Sequence, residues 1–170
     1  MKIKKYKLVF LVFLLLGSLN SYSQISKKAD REIKKVFSIE KYELSKAVDH
    51  KIEDFLSKRL LKISNDCNKI GYAYLGTAPS QTKYFDYLVL LDQNLVIKSI
   101  KILVYREDYG GEIESKNWLS QFLGKSIVDR FIYRKNIAAI SGATISVNSI
   151  TEAVNDILSY LTQLKNQGII

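Results

Sequence analysis

Residues 70–105 hold three runs of apolar and aromatic residues spaced too closely to be joined by helices. Ile70 to Leu75 alternates and is rich in Tyr; Tyr84 to Leu91 and Leu95 to Tyr105 follow. Short runs of β-branched and aromatic residues predict strands. Gly76 to Ser80, with the only Pro of the chain, predicts a turn, and Asp92-Gln93-Asn94 a tight connection. A parallel pair needs a crossover of a dozen or more residues, and these gaps are far shorter. The pattern therefore dictates an antiparallel meander. In the third run Val96, Ile100, Ile102 and Val104 share one parity, and Lys98 among them marks a bulge or the solvent end.

Helical spacing flanks this sheet. Across residues 26–63, Ile33, Val36, Phe37, Leu44, Val48, Ile52, Phe55, Leu56 and Leu60 recur every three or four positions. This predicts two helices with a break near Ser38–Lys41. Ser115 to Leu123 predicts a short helix with Ser115 as N-cap, Trp118, Leu119 and Phe122 inward, and Gly124 just past its end. Ile127 to Tyr133 is a further strand or an irregular link. Ile150, Val154, Ile157, Leu161 and Leu164 form the stripe of a last helix, with Ser149 and Glu152 as a capping box or Asn148 as cap. The fold class is α+β: an N-terminal helical segment (24–64), then a domain over 65–170 with a meander sheet packed against helices.

The first 23 residues read as an export signal. Lys2, Lys4, Lys5 and Lys7 precede an unbroken apolar run, Leu8 to Leu16, and Ser21 and Ser23 are small residues at a peptidase-type spacing. The run is short of the roughly 20 residues that span a bilayer, so cleavage is expected, with a retained anchor as the alternative. Cleavage removes four Lys and no acid, which takes the formal charge from +9 to +5. The remaining Lys are scattered among Asp and Glu, which is no footprint of nucleic-acid binding.

One Cys and one His set hard limits on chemistry. A Cys₄, Cys₂His₂ or His₃ zinc site lacks ligands, and an intrachain disulfide is impossible. A Ser–His–Asp group could be built only around His50, which lies among Asp49, Lys51 and Glu53 as on a solvated helix face. Cys67 is expected as a small buried apolar residue. Demanding chemistry would therefore fall to a cofactor.

Ser141-Gly142-Ala143-Thr144-Ile145-Ser146 offers a place for one. Small residues and hydroxyls stand before a helix, whose free amides and positive dipole end favour an anion. The residues alone support two readings: a phosphate site with a hydroxyl beside it, or a plain loop that packs and caps the last helix.

The segment Ser141-Gly142-Ala143-Thr144-x-Ser146 resembles the Ser/Thr-Gly-Ala-Thr-x-Ser/Thr signature of the FMN-binding domain family. That family includes flavin-carrying components of the sodium-translocating NADH:quinone reductase and of the Rnf electron-transport complex. Asn94 to Glu112 resembles the family's strand and Glu-Thr-x-Gly turn, with Glu107 and Gly110 at the Glu and Gly. Trp118 to Lys125 resembles its next helix. Two positions depart: Ala138 stands where the family usually has Asp, and Asp108 where it has Thr.

The resemblance implies FMN joined by a phosphoester to Thr144, installed from FAD by a flavin transferase. It implies Ser141, Gly142, Ala143, Ile145 and Ser146 around the phosphate, with the amides of Ile145 to Asn148 holding its oxygens. Glu107, Tyr109 and Gly110 would line the ring, with Trp118 as an aromatic wall and Tyr105 behind it. Core packing is the other reading of Trp118, and a solvated turn that of Glu107 and Asp108. Lys125 caps its helix or offsets phosphate charge. The expected protein is an electron carrier or redox subunit, exported and periplasmic or membrane-associated, with envelope or membrane redox proteins as donor and acceptor. The alternative is an envelope binding or interaction module that keeps the fold without the flavin.

Overall fold

The structure, a computed structural model, describes residues 27–48 and 56–170. The expected export signal, His50 and most of the expected second N-terminal helix lie outside the described residues. Residues 27–37 form helix α1. Five strands follow, β1 (Glu43–Lys46), β2 (Leu60–Asn65), β3 (Asn68–Pro79), β4 (Tyr84–Asp92) and β5 (Ile97–Val104). They pair antiparallel in sequence order as one meander. A short helix α2 (Lys116–Leu119) and a long one, α3 (Thr144–Asn166), complete the set.

The sheet is covered on both faces. Phe85, Tyr87, Val89 and Leu91 of β4 join the core under α3, together with Tyr72 and Tyr74 of β3. Leu88 and Leu90 face the other way and meet Ala29 and Ile33 of α1. Burial on both sides is why β4 reads as an apolar run instead of an alternating one. α1 is tied to the edge strand by polar contacts as well. Glu32 accepts from Ser99 Oγ at 2.9 Å and Lys101 Nζ at 2.8 Å, and Lys28 Nζ donates to the Leu103 carbonyl.

The second N-terminal helix is not formed where it is described: Glu43–Lys46 and Leu60–Asn65 are strands. Leu60 and Ile63 stand three apart, as on one face of a helix. In a strand that odd spacing sends them to opposite faces, and they enter the two different cores. The β2–β3 hairpin turns on Asp66 and Cys67, both left-handed with φ of 47° and 64°. This is the twist a two-residue hairpin loop requires. Cys67 is therefore exposed at a turn tip, and not buried as expected.

β3 runs through the expected turn at Gly76–Ser80 to Pro79. Gly76 lies under the Tyr87 ring, where a Cβ would overlap it. The reversal sits further on, closed by Ser80 N donating to Lys83 O at 2.8 Å. In β5 the register shifts opposite Leu90/Leu91 and opposite Asp86/Tyr87. The first shift leaves Lys98 as the extra residue, a bulge as anticipated; the second leaves Leu103 as the extra residue and brings Val104 to the α1 side beside it, off the expected parity with Ile100 and Ile102, which stay under α3.

Ser115 Oγ accepts from Trp118 N at 3.2 Å, the expected cap of α2, and Gly124 takes φ +74° after it. Residues 127–133 form an irregular link, held by Asn155 of α3. The Asn155 side chain accepts from Phe131 N at 2.9 Å and donates to Phe131 O at 2.8 Å. Helix α3 begins at Thr144, five residues before the expected capping box, and no side chain caps it. Ser146 and Val147 are buried in line with Ile150, so the apolar stripe starts earlier than Ser149.

Candidate functional site

Three segments meet at the start of α3. They are the chain leaving β5 (105–110), the β3–β4 turn, and the loop 141–146. Between them lies a cavity of about 250 Å³ lined by Gln81, Tyr105, Glu107, Tyr109, Gly142, Ala143, Thr144, Ile145 and Ser146.

Gly142 takes φ +74°, and Ala143 N donates to Ile140 O at 3.2 Å, which closes the turn that delivers the chain to the helix. Val147 N is the first amide to reach back into the helix, to Ala143 O at 2.9 Å. The amides of Thr144, Ile145 and Ser146 precede it and have no intrahelical acceptor. This moves the amides open to an anion from the expected 145–148 to 144–146. Thr144 and Ile145 are exposed. Ser146 is buried, and its Oγ lies 3.0 Å from the Tyr105 hydroxyl. Tyr105 in turn packs its ring 6.0 Å from Phe85.

Glu107 borders the cavity, but its carboxylate is fully engaged elsewhere. It accepts from Ser80 Oγ at 2.6 Å, Thr82 N at 2.7 Å, Thr82 Oγ at 2.8 Å and Lys83 N at 3.0 Å. The Ser80 hydroxyl, then the Thr82 amide and hydroxyl, hold its pKa down to about 2. Glu107 is thus a clasp that fixes the β3–β4 turn against the strand end, which neither expected reading described.

Gly110 takes φ +76°, and a Cβ there would overlap that of Ala143. It supports the loop from behind and is not among the lining residues. The turn it closes presents Tyr109, whose side chain is 80% exposed, at the cavity rim beside Ile145, 47% exposed. These two large side chains are left in solvent at the edge of a concave site.

Trp118 lies away from the cavity. It is buried against Phe122, with ring centroids 5.7 Å apart, and its Nε1 donates to Ala138 O at 2.9 Å. An amphipathic short helix puts its largest apolar residue into the core, and the aromatic-wall expectation is not met. Ser141 is exposed next to the lining residues without being one of them. Lys125 is 3.8 Å from Asp129, remote from the loop.

Sequence reasoning did not single out Gln81, Tyr133 or Arg134. Tyr133 stands beside Thr144 without lining the cavity. Its ring lies near the surface, yet its oxygen is closed off from solvent and makes no hydrogen bond of good geometry. The Thr144 hydroxyl, then the Arg134 guanidinium, lower the phenol pKa below its ordinary 10.

The fold and cleft define a small α+β ligand-binding domain in which a helix start and an exposed threonine face a partly apolar hollow. Residues 84–159 match the family model of the FMN-binding domain. The match reaches from the first residue of β4 into the last turns of α3. No curated protein matches the chain. The residues present suit FMN at both ends: three open amides and a hydroxyl for the phosphate, and Tyr109 and Ile145 for a flat ring.

Proposed function

We propose that this protein is an extracytoplasmic electron-transfer protein whose FMN is joined through a phosphoester to Thr144. The observation that carries the reading is the position of Thr144. It is the first residue of α3, exposed, beside the cavity, with its own amide and the next two open to an anion. In the attachment step the Thr144 Oγ–phosphorus bond forms and the anhydride P–O bond of FAD breaks. AMP leaves with the electron pair, and the hydroxyl proton passes to solvent. A flavin transferase is the catalyst.

When bound, the flavin ring accepts and passes on electrons; the chain supplies position and surroundings. Gly142 and Ala143 keep the approach to Thr144 clear of side chains. Tyr109 and Ile145 flank the ring, Glu107 and Gly110 hold their turn in place, and Ser141 adds a hydroxyl at the rim. A phosphate tether keeps the cofactor from being lost outside the cytoplasm, which agrees with the export signal read in residues 1–23. Donor and acceptor are envelope or membrane redox proteins.

The test is a denaturing gel of protein coexpressed with a flavin transferase, viewed for flavin fluorescence. A fluorescent band lost in Thr144→Ala and kept in Ser146→Ala supports the reading. A dark wild-type band, with the transferase active on a control domain, contradicts it.

A further inference from the structure

β5 is the last strand of the sheet, and no described strand pairs with its outer edge. Ile97 shows which backbone groups point that way. Its N–H donates to Lys125 O at 2.7 Å and its carbonyl accepts from Gly124 N at 2.9 Å, so both turn away from β4. Lys98 is the extra residue of the bulge, and Ser99 and Lys101 stand opposite Leu90 and Leu88. Alternation along an antiparallel pair then turns the backbone groups of Ile100 and Ile102 outward as well. Among the described residues, no hydrogen bond from outside the sheet reaches Ile100 or Ile102. Leu119 and Phe122 pack on the face that α3 covers, and Ala29 and Ile33 of α1 on the other. Between these two walls, residues 98–102 line a groove of about 610 Å³.

The charge of the groove is one-sided. Lys28, Arg31 and Lys35 line it from α1, Lys98 and Lys101 from β5, and Lys116 from α2, against Glu32 and Glu114. Glu32 is already engaged by Ser99 and Lys101, and Lys28 by the Leu103 carbonyl. Arg31, Lys35, Lys98 and Lys116 are exposed. Lysines carried by an edge strand protect it from pairing. Here four of the six cations stand on the flanking helices instead, where they face into the groove from both walls.

We infer that this groove docks an extended, acidic segment of a partner protein, which adds to the sheet along β5. Backbone hydrogen bonds at Ile100 and Ile102 supply the pairing, as in other cases of strand addition to an open edge. Successive side chains of a strand point to opposite faces. Asp or Glu residues of the segment therefore meet Arg31 and Lys35 on one wall and Lys116 on the other. Complementary charge of this kind selects the partner and speeds the encounter. A lipid surface offers no backbone groups to a strand edge, so the unpaired edge favours a peptide. The inference is independent of Thr144 and of the flavin.

The experiment selects a library of random short peptides on immobilised full chain and then synthesises the enriched sequences. Enriched peptides are expected to be rich in Asp and Glu and free of Pro. Bound to the full chain, such a peptide slows amide exchange at Ile100 and Ile102. Its affinity falls about tenfold or more when Arg31→Glu and Lys116→Glu are combined, with thermal unfolding of the protein unchanged. Lys98→Glu weakens binding in the same direction and serves if the double variant unfolds. N-methylation of alternate peptide amides, which removes the donors but no charge, abolishes binding. A selection that enriches nothing, or enriches peptides without acidic residues, overturns the inference. So does a peptide that binds the charge-reversed variants as tightly as wild type, or one that leaves exchange at Ile100 and Ile102 unmoved. Binding to vesicles of phosphatidylglycerol and phosphatidylcholine with no peptide enriched makes the basic face a membrane surface and overturns it equally.

Discussion

Gly110 and Ala143 are in direct contact behind the cavity, so close that the glycine has no room for a side chain. The contact couples the turn after β5, which carries Tyr109, to the loop before α3, which leads into Thr144.

Gly110→Ala meets two obstacles at once, a φ of +76° and the Ala143 side chain. A non-glycine residue held in such a conformation costs about 1–3 kcal/mol. Chemical denaturation should show a loss in that range or above, and flavin loading should fall with it. Gly111 has open space where a Cβ would stand and no left-handed φ, so Gly111→Ala should stay within about 0.5 kcal/mol of wild type.

Glu107 predicts a pH dependence. Its folded pKa, about 2, lies below the ordinary 4.5. The folded state therefore binds the proton less readily than the unfolded one, so this contribution is fully present above about 4.5 and is lost as pH falls toward 2. Thermal unfolding followed from pH 6 downward should show a decline in that window. Glu107→Gln should flatten the decline, and should loosen the turn at Thr82 as seen by amide exchange.

Asn155 predicts a stability effect through two hydrogen bonds to the backbone of Phe131. Asn155→Ala leaves the Phe131 amide and carbonyl without their partner. The loss should be about 1–3 kcal/mol by denaturant titration. Phe131 packs on Phe122 with centroids 4.7 Å apart, so the aromatic signal of the Trp118 cluster should change as well.

The meander was legible because its signal is local: short apolar runs and tight gaps admit one pairing. β4 in particular is set by composition. The strands outside that run were hidden by an ambiguity of spacing, since Leu60 and Ile63 serve two cores from opposite faces yet satisfy helical periodicity. The Asp66–Cys67 hairpin was missed because neither residue is the glycine that usually marks two left-handed positions. At the site, the SGAT loop could be found from hydroxyls and small residues before a helix. The true start of α3 could not, because the capping box at Ser149 is a stronger local signal than a helix opened without a side-chain cap. Trp118 was drawn toward the ligand by its size, although an inward position on an amphipathic helix already accounted for it. Tyr133 carries no pattern at all: its turn is shaped locally by Asn136 and tied to α3 by Asn155, which joins residues distant in the chain.

The central claim is covalent attachment of FMN at Thr144, and intact-protein mass after coexpression with a flavin transferase tests it most directly. The account predicts one FMN-phosphoester adduct on the denatured wild-type chain, mapped by peptide fragmentation to Thr144 and absent from Thr144→Ala. A wild-type chain that carries no adduct while a control domain is modified, or an adduct that persists in Thr144→Ala, would contradict it.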